Sequence, residues 1–337
     1  MKIFVINEDN KHLMRAYLAK NDEFYTRYED IEKELIHYEK ELKDKIIYCN
    51  CDSINSNFLY YFALNFNRLK LKKLICTGLK SIGVELSGIN ENKFTKKELM
   101  NLIKSNKRIL SDKESIRIKN KNIAIKLFKL ISDDINKGGD FNSIQSIELL
   151  KKCDIVVTNP PFSLFRDLFK IINYYNKKFL LIGNETGIGY KDIFPLIRDR
   201  IVRIGLTFPR YFFTPDYKDE GREIVNCVWF TNLKGDSYPD FLELIKTYNS
   251  KEYPKLDNYR VINVNKTKDI PKNYKGVMAV PVSFLTKYNP NQFKIVGMCK
   301  GDFGKDFYIP GKYYGRDNKR AILKGKVLFI RLLIKKI

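Results

Sequence analysis

The sequence predicts an α/β protein in which a parallel sheet with crossover helices is followed by a smaller basic module. Over the first two thirds of the chain, short apolar runs typical of buried parallel strands alternate with helical patterns. From about Gly235 onwards, prolines, tyrosines and lysines interleave, and this change indicates a second unit. With 337 residues, of which 44% are hydrophobic, the chain is long enough to bury a substantial core.

The individual elements follow from periodicity and from the turns that bound them. The first helix carries Ile31, Leu35, Tyr38 and Leu42 on one face. Strands are predicted at 45–51, 73–77, 123–128, 154–158, 179–183, 201–208, 224–232, 277–284 and 326–334, and further helices at 55–69, 164–172 and 190–200. Pro195 is expected to shorten or kink the last of these helices.

Three stretches are less regular. Residues 1–20 are expected to form a loosely held arm, and residues 209–223 a polar loop. Residues 78–121 have little periodicity and are predicted to be an insertion or loop, apart from a helical pattern near residues 95–104. The resulting division is an arm at 1–20, a main domain at 21–240 and a basic module at 241–337.

The charge balance predicts a polyanionic partner. Lys and Arg number 62 against 39 Asp and Glu, which gives a net charge of +23 and a pI near 9.5. Residues 251–337 alone contain 20 basic and 6 acidic residues. Release of counterions from phosphates drives binding of such surfaces to nucleic acid. A basic surface that is merely solvated is the other interpretation.

The cysteine pattern argues against a metal site. Six cysteines lie mostly in or beside apolar runs, the Cys49-x-Cys51 spacing does not suit zinc, and the chain has only two histidines. Buried reduced thiols are therefore expected. The sequence shows no signal peptide and no apolar run long enough to span a bilayer, so we expect a cytoplasmic protein with no membrane partner.

The most informative stretch is the strand, turn and helix around Asn159-Pro160-Pro161-Phe162. An apolar, β-branched run from Asp154 to Thr158 leads into this turn, and Ser163 is placed to cap the helix that follows. In an open α/β sheet, ligands bind at the carboxyl ends of the strands, which is where this turn falls. The residues also fit a tight turn after a core strand with no chemical role.

The chemistry of this turn suits methyl transfer to an adenine amine. That amine is a poor nucleophile because its lone pair is delocalised into the ring. The Asn159 side-chain oxygen and the Pro160 carbonyl can accept its two N–H groups and favour sp³ geometry at nitrogen, so no strong base is needed. Proline suits this position because it fixes φ and has no N–H to compete for the acceptors. Phe162 is placed to stack on a base that has left the duplex, whereas Pro161 only stiffens the turn.

Several further segments share a pattern with one known family. They lie at 22–26, 48–52, 56–58, 139–141, 154–165, 227–233, 276–290 and 325–335. Through them the chain resembles, in order and over nearly its whole length, the adenine-specific DNA methyltransferases of the EcoRI type. The resemblance implies a Rossmann-like methyltransferase sheet with helices on both faces, and S-adenosylmethionine as cofactor. It also implies methylation of adenine in double-stranded DNA at a short specific sequence, by a restriction-modification or orphan modification enzyme.

The resemblance assigns cofactor-binding roles near the start of the sheet. Phe24, Tyr25 and Thr26 match the segment that reaches the methionine end of the cofactor, and Thr26 also fits as the N-cap of the next helix. Cys51 and Asp52 match the end of the first sheet strand. An Asn-Cys-Asp-Ser sequence there replaces the Gly-rich loop of most methyltransferases.

Further cofactor roles fall later in the chain. Asp140 and Phe141 match the turn that recognises the adenine of the cofactor, where the carboxylate would accept from its amino group and the ring would cover its face. A Gly-Gly-Asp sequence is also ordinary turn chemistry. Asn159 is expected to contact the cofactor as well as the target base. Thr77 stands where an acidic residue would hold the ribose hydroxyls, so the ribose contact is unassigned.

The sequence leaves alternative functions open. An RNA adenine methyltransferase or a protein glutamine methyltransferase can also use Asn-Pro-Pro followed by an aromatic residue, and a DNA-binding protein without catalysis is a further alternative. The basic module favours nucleic acid over protein, and the match through that module favours DNA over RNA. Arg316, Lys319 and Arg320 are candidates for phosphate contact. The target sequence and the oligomeric state are not predicted, although a monomer is compatible with the sequence.

Overall fold

The computed structural model describes residues 25–79, 82–88, 95–107, 110, 113–120, 123–133, 135–213, 222–223, 226–235, 238–310 and 319–337. The predicted arm, Phe24 and Arg316 lie outside these residues. The chain divides into two compact units. Unit 1 comprises the described residues of Met1–Gly187 and Gly205–Asp236, and unit 2 those of Ile188–Ile204 and Ser237–Ile337. The domain boundaries proposed from the sequence remain predictions.

The described α-helices are α1 (Tyr28–Leu35), α2 (Glu39–Leu42), α3 (Asn57–Leu64), α4 (Lys96–Lys107), α5 (Ile144–Lys152), α6 (Phe165–Tyr174) and α7 (Phe194–Arg198). The described strands are β1 (Tyr25–Thr26), β2 (Ile46–Cys49), β3 (Lys73–Cys76), β4 (Ile82–Ser87), β5 (Ser115–Asn120), β6 (Ile123–Lys129), β7 (Ile155–Thr158), β8 (Lys178–Asn184), β9 (Arg203–Ile204), β10 (Tyr211–Phe213), β11 (Arg222–Glu223), β12 (Cys227–Thr231), β13 (Ile262–Asn263), β14 (Met278–Pro281), β15 (Phe293–Met298), β16 (Ile322–Leu323), β17 (Lys326–Val327) and β18 (Arg331–Lys336). Among these helices, none combines the length and apolar character that crossing a bilayer requires.

The main sheet of unit 1 is mixed. Its eight described strands pair in the order β5-β6-β4-β3-β2-β7-β8-β12. The central strands β3, β2, β7 and β8 are parallel, as the βαβ pattern predicts. The flanking strands β4, β5, β6 and β12 are antiparallel to their neighbours. A separate small antiparallel sheet joins β1, β10 and β11.

The expectation of an irregular stretch over residues 78–121 is wrong for β4 and β5. Strand β4 buries Ile82, Val84 and Leu86 against the core, and Gly83 lies between the first two of them. A Cβ atom on Gly83 would lie 2.2 Å from the ring of Phe128 on the neighbouring strand. Gly83 therefore lies where an aromatic ring packs on the backbone of a strand. In the sequence a glycine is more easily taken for part of a loop, which is why local composition misidentifies this strand.

Helices cover both faces of the main sheet. Trp229 and Phe230 are neighbours on β12, so their side chains point to opposite faces. Trp229 packs edge-on against Phe58 of α3, with ring centroids 6.2 Å apart. Phe230 packs against Phe165 of α6 at a centroid distance of 4.8 Å. The predicted α/β layering is thereby confirmed for unit 1.

The predicted face of the first helical region is also confirmed. Ile31 and Leu35 on α1, Tyr38 in the following 3₁₀ turn and Leu42 on α2 are all buried in the core of unit 1. Helix α7 in unit 2 begins only at Phe194. Its first turn contains Pro195, which explains why it is shorter than the predicted helix at 190–200.

Unit 2 has its own sheet and core. Its four strands pair in the order β13-β14-β18-β15, and β13 and β14 are parallel to each other whereas β18 is antiparallel to both of its neighbours. Strands β16 and β17 form a hairpin. The apolar core of the unit includes Tyr259, Cys299 and Leu333.

Candidate active site

The carboxyl ends of four parallel strands meet at one edge of the main sheet. Because β3, β2, β7 and β8 run in the same direction, the residues that follow them lie along this edge. They include Thr77 after β3, Asn50 after β2, Asn159 after β7 and Glu185 after β8. Burial raises the pKa of Glu185. The sequence-predicted turn thus stands at the ligand-binding edge of the fold.

A buried hydrogen-bond network ties the ends of β2 and β7 together. The Thr158 hydroxyl donates to Oδ2 of Asp52 at 2.6 Å and accepts from the backbone N–H of Cys51 at 3.1 Å. The Ser56 hydroxyl donates to Oδ1 of Asp52 at 2.7 Å. The backbone N–H of Asn159 donates to the same carboxylate. Two residues predicted to bind the cofactor, Cys51 and Asp52, are therefore joined directly to the strand that precedes Asn159.

Burial sets the electrostatics of this network. The Asp52 side chain is 3% exposed. Loss of solvation raises its pKa to about 6, although the hydrogen bonds from Thr158, Ser56 and the Asn159 backbone act in the opposite direction. This carboxyl group consequently changes its charge close to physiological pH.

The Asn159–Phe162 turn lies partly open at the edge. Asn159 is 9% exposed, Pro160 is buried and Phe162 is half-buried. The Phe162 ring meets Phe212 of β10 edge to face, with centroids 6.2 Å apart. An aromatic ring that is fixed on one side and partly exposed can stack on a planar ligand.

The predicted cap of α6 by Ser163 is wrong. The N-cap of α6 is Leu164, with no side-chain cap, and the helix begins at Phe165. The backbone N–H of Leu164 instead donates to the Pro161 carbonyl at 2.9 Å. This bond closes the proline turn before the helix starts, and it leaves Ser163 outside the capping position.

The Gly-Gly-Asp turn abuts the same edge. Gly139 has a φ of +86°, and a Cβ atom there would lie 2.3 Å from the Gly78 carbonyl oxygen just beyond β3. Oδ1 of Asp140 accepts from the backbone N–H and the side-chain amide of Asn142, at 2.8 and 3.0 Å. Phe141 is 6% exposed. Ordinary turn chemistry is therefore present, and contact of Asp140 and Phe141 with a cofactor remains a prediction.

Strand β1 brings Tyr25 and Thr26 to this region. The Tyr25 hydroxyl lies 2.9 Å from that of Ser53, and the Thr26 carbonyl accepts from the Asn57 side chain at 2.8 Å. The alternative role of Thr26 as a helix N-cap is wrong, because Arg27 occupies that position of α1. The region around residues 50–53 thus contacts segments that are distant in sequence.

Two buried oxygens at this edge fit the binding of a polar cofactor. Within the described part of the chain, neither the Thr26 hydroxyl nor Oδ1 of Asn50 has a hydrogen-bond partner, and both side chains are about 2% exposed. Buried polar atoms without a protein partner are expected where a ligand supplies one. S-adenosylmethionine carries an ammonium group, ribose hydroxyls and an adenine amine as donors. Asn50 was missed from the sequence because nothing distinguishes it locally from a turn residue.

Thr77 does not offer the ribose contact. Its side chain is fully buried, and its hydroxyl lies 2.8 Å from the Tyr48 hydroxyl inside the sheet. The residue that holds the ribose stays unassigned. Among the described residues, no group of three or more His, Cys, Asp or Glu side chains is arranged to hold a metal ion.

Two further carboxylates, also missed from the sequence, bind the backbone of the segment that leads into β10. Glu34 of α1 is fully buried and accepts from the backbone N–H groups of Leu206 and Thr207, at 3.0 and 2.7 Å. Asp30, one helical turn earlier, accepts from the backbone N–H groups leading into β10. The sequence did contain a signal for them, namely acidic residues on the apolar face of a predicted helix. A carboxylate buried on such a face needs hydrogen-bond donors from another segment.

Comparison with known proteins gives matches over nearly the whole chain. The chain matches the family described as Adenine-specific methyltransferase EcoRI over residues 12–337. It is 43% identical to the type II methyltransferase M.EcoRI of Escherichia coli over 348 residues, which cover 96% of this chain and 98% of the relative. It is 34% identical to the type II methyltransferase M.MgeORF184P of Mycoplasma genitalium, over 96% of this chain and 98% of that protein. For M.MpnI of Mycoplasma pneumoniae the identity is 32%, over 95% and 97% respectively. No solved structure matches.

These matches identify the chain as a type II methyltransferase of the restriction-modification class. The chain belongs to the EcoRI family of adenine-specific methyltransferases. The family resemblance drawn from the sequence is confirmed, and with it the activity, that of an adenine-specific DNA methyltransferase.

Proposed function

We propose that this enzyme transfers the methyl group of S-adenosylmethionine to the exocyclic amine of adenine within a short sequence of double-stranded DNA. The observation that carries the proposal is the position of Asn159-Pro160 at the carboxyl end of β7, directly after the buried Thr158–Asp52 link to β2. In a Rossmann-like methyltransferase sheet, this edge would hold the cofactor and the target base side by side.

In this proposal the side chains of the turn act on the target base. The amide oxygen of Asn159 and the carbonyl of Pro160 accept the two N–H groups of the adenine amine, so its lone pair is directed at the methyl group. Phe162 stacks on the extruded base, and its contact with Phe212 keeps the ring in place. The cofactor, when bound, supplies an electrophilic methyl group on a sulfonium centre. The protein contributes orientation and electrostatic stabilisation.

The cofactor would occupy the edge formed by β2, β3 and the Gly-Gly-Asp turn. Tyr25 and Thr26 would meet its methionine end, together with Phe24. Asp140 and Phe141 would meet its adenine, whereas Cys51 and Asp52 would line the sheet end between them, next to Asn159. The unpartnered Thr26 hydroxyl supports this arrangement.

Unit 2 would supply the DNA-reading surface. The predicted basic module, residues 241–337, carries most of the basic excess of the chain. Two of the predicted phosphate contacts have protein partners: the Lys319 ammonium pairs with Asp302, and the Arg320 guanidinium donates to the Leu328 carbonyl at 2.9 Å. Phosphate contact by Lys319 would therefore require exchange of one anionic partner for another.

Transfer of a labelled methyl group tests the proposal. Wild-type protein should label duplex DNA as N6-methyladenine, and should label RNA and protein from the same mixture far less. At saturating cofactor, Asn159→Ala should lower the rate of methyl transfer by about 100-fold or more, because one acceptor for the developing charge is lost. Preferential labelling of RNA or protein, or undiminished labelling by Asn159→Ala, would contradict it.

A further inference from the structure

We infer that Asp52 is a positioning residue for the methyl-transfer step, because its ionised carboxylate holds the end of β7 and thereby fixes the direction of Asn159. The inference deepens the proposed function and rests on it. It assigns to Asp52 a role exerted through Thr158 and the backbone of Asn159, in place of direct contact with the reacting atoms.

The geometry leaves the Asp52 carboxylate little freedom to reach the reacting atoms. Its Oδ2 accepts from Thr158 and its Oδ1 accepts from Ser56, with donor distances of 2.6 and 2.7 Å, and the Asn159 backbone N–H is a third donor. Ser56 is also the N-cap of α3, where its hydroxyl accepts from the Phe58 N–H at 3.0 Å. The carboxylate therefore joins three elements: the end of β2, the start of α3 and the end of β7.

Only the ionised form can serve all three donors. A protonated carboxyl group would carry its own O–H, which would face either the Thr158 or the Ser56 hydroxyl. The Thr158 oxygen already accepts from the Cys51 N–H. If the protonated carboxyl group donated to that oxygen as well, the hydroxyl proton of Thr158 would need a new acceptor. Protonation of Asp52 would consequently loosen the connection immediately before Asn159. Because a displacement of about 1 Å can cost on the order of 100-fold in rate, a small shift of this kind would be measurable.

The surroundings of Asp52 contain few competing charges. Burial raises the pKa of Asp52 to about 6, and its hydrogen bonds lower it in part. No charged side chain of the described residues contributes to the shift. On β2, the Cys49 thiol senses the charge of Asp52, but burial raises the pKa of that thiol well above its ordinary value. The thiol thus stays neutral while Asp52 titrates. Transfer should therefore slow as the pH falls below about 6.

Paired substitutions at Thr158 test the link directly. Thr158→Val removes the hydroxyl but keeps the shape, whereas Thr158→Ser keeps the hydroxyl. Thr231 is a matched control: it is also fully buried, and its hydroxyl donates to the Phe179 carbonyl at 2.6 Å and accepts from the Leu233 N–H at 3.0 Å. The measurement is the single-turnover rate of methyl transfer to duplex DNA at saturating cofactor, with cofactor affinity measured separately.

We expect Thr158→Val to slow transfer by about 10- to 100-fold, and Thr158→Ser and Thr231→Val to stay within about twofold of wild type. If Thr158→Val behaves like Thr231→Val, the inference is overturned. Cofactor affinity should change little in all three variants, because the effect belongs to the transfer step.

The pH profile supplies the second readout. The wild-type rate should fall by about tenfold per pH unit below pH 6, as expected for a single protonation. Asp52→Asn should be slow and should lose this dependence. A profile that persists in Asp52→Asn would assign the titration to another group, such as Glu185, and would overturn the inference. If the proposed function itself were wrong, the wild type would methylate no DNA at any pH. That result differs from both loss and persistence of the pH dependence in Asp52→Asn.

Discussion

Asn159 and Asp52 illustrate how a single side chain depends on one far away in sequence. Asn159 carries the acceptor proposed for the target amine. Its backbone N–H donates to the Asp52 carboxylate. That carboxylate also accepts from Thr158, which lies 106 positions from Asp52 in the sequence. The burial that places Asp52 between two strand ends also raises its pKa to about 6. Placement and titration therefore have the same physical cause.

The raised pKa of Asp52 predicts a signed effect of pH on stability. The folded protein binds this proton more tightly than the unfolded chain, so its contribution to stability is fully present below the unfolded pKa and is lost as the pH rises through about 6. Relative to Asp52→Asn, the wild-type free energy of unfolding should fall by roughly 2.5 kcal/mol between pH 4 and pH 7. Urea denaturation of both proteins at each pH measures the difference. A difference independent of pH would contradict the assignment.

Helix α1 connects the core of unit 1 with β10, the strand that packs against Phe162. Its buried carboxylates Asp30 and Glu34 receive backbone N–H groups of the segment that leads into β10. Strand β10 pairs with β1, which carries Thr26, and presents Phe212 to Phe162. The apolar face of α1 thus supports the sheet, and its acidic residues hold the strand that packs against the proposed base-stacking ring.

This arrangement predicts a large cost for Glu34→Gln. Within the described part of the chain, the groups that hydrogen-bond to the Glu34 carboxylate are all donors, including the Tyr38 hydroxyl at 2.7 Å, so an amide N–H₂ at this position would face donors only. We expect the free energy of unfolding to fall by about 3 kcal/mol, because hydrogen bonds to a buried charged group are lost.

The matched control is Glu32→Gln, an exposed residue on the same helix, which should change the free energy of unfolding by less than about 0.5 kcal/mol. Both values come from urea unfolding curves. Equal effects of the two substitutions would show that Glu34 does not brace the segment in solution.

The sequence predicts those parts of the site that are local. The buried strand, the rigid turn and the positions of Asn159 and Phe162 follow from neighbouring residues. The partnership of Asp52 with Thr158 does not, because it depends on which strands become neighbours in the sheet. The cap expected at Ser163 is wrong because a backbone bond to Pro161 closes the turn first.

The whole chain combines a mixed sheet with a strong positive charge. The parallel centre places four strand ends along one edge, whereas the antiparallel flanks widen the sheet beyond what the βαβ pattern predicts. A net charge of +23 suits an enzyme whose substrate is a polyanion. The charge promotes encounter with DNA but carries no sequence information, so specificity requires side chains that reach the base edges.

The most direct measurement is the sequencing of modified adenines in DNA treated with the purified protein and S-adenosylmethionine. The wild type should methylate the amine of adenine within one short sequence, and Asn159→Ala should leave the same DNA unmodified under equal conditions. Modification of other bases, modification scattered without regard to sequence, or an identical pattern from Asn159→Ala would contradict the account.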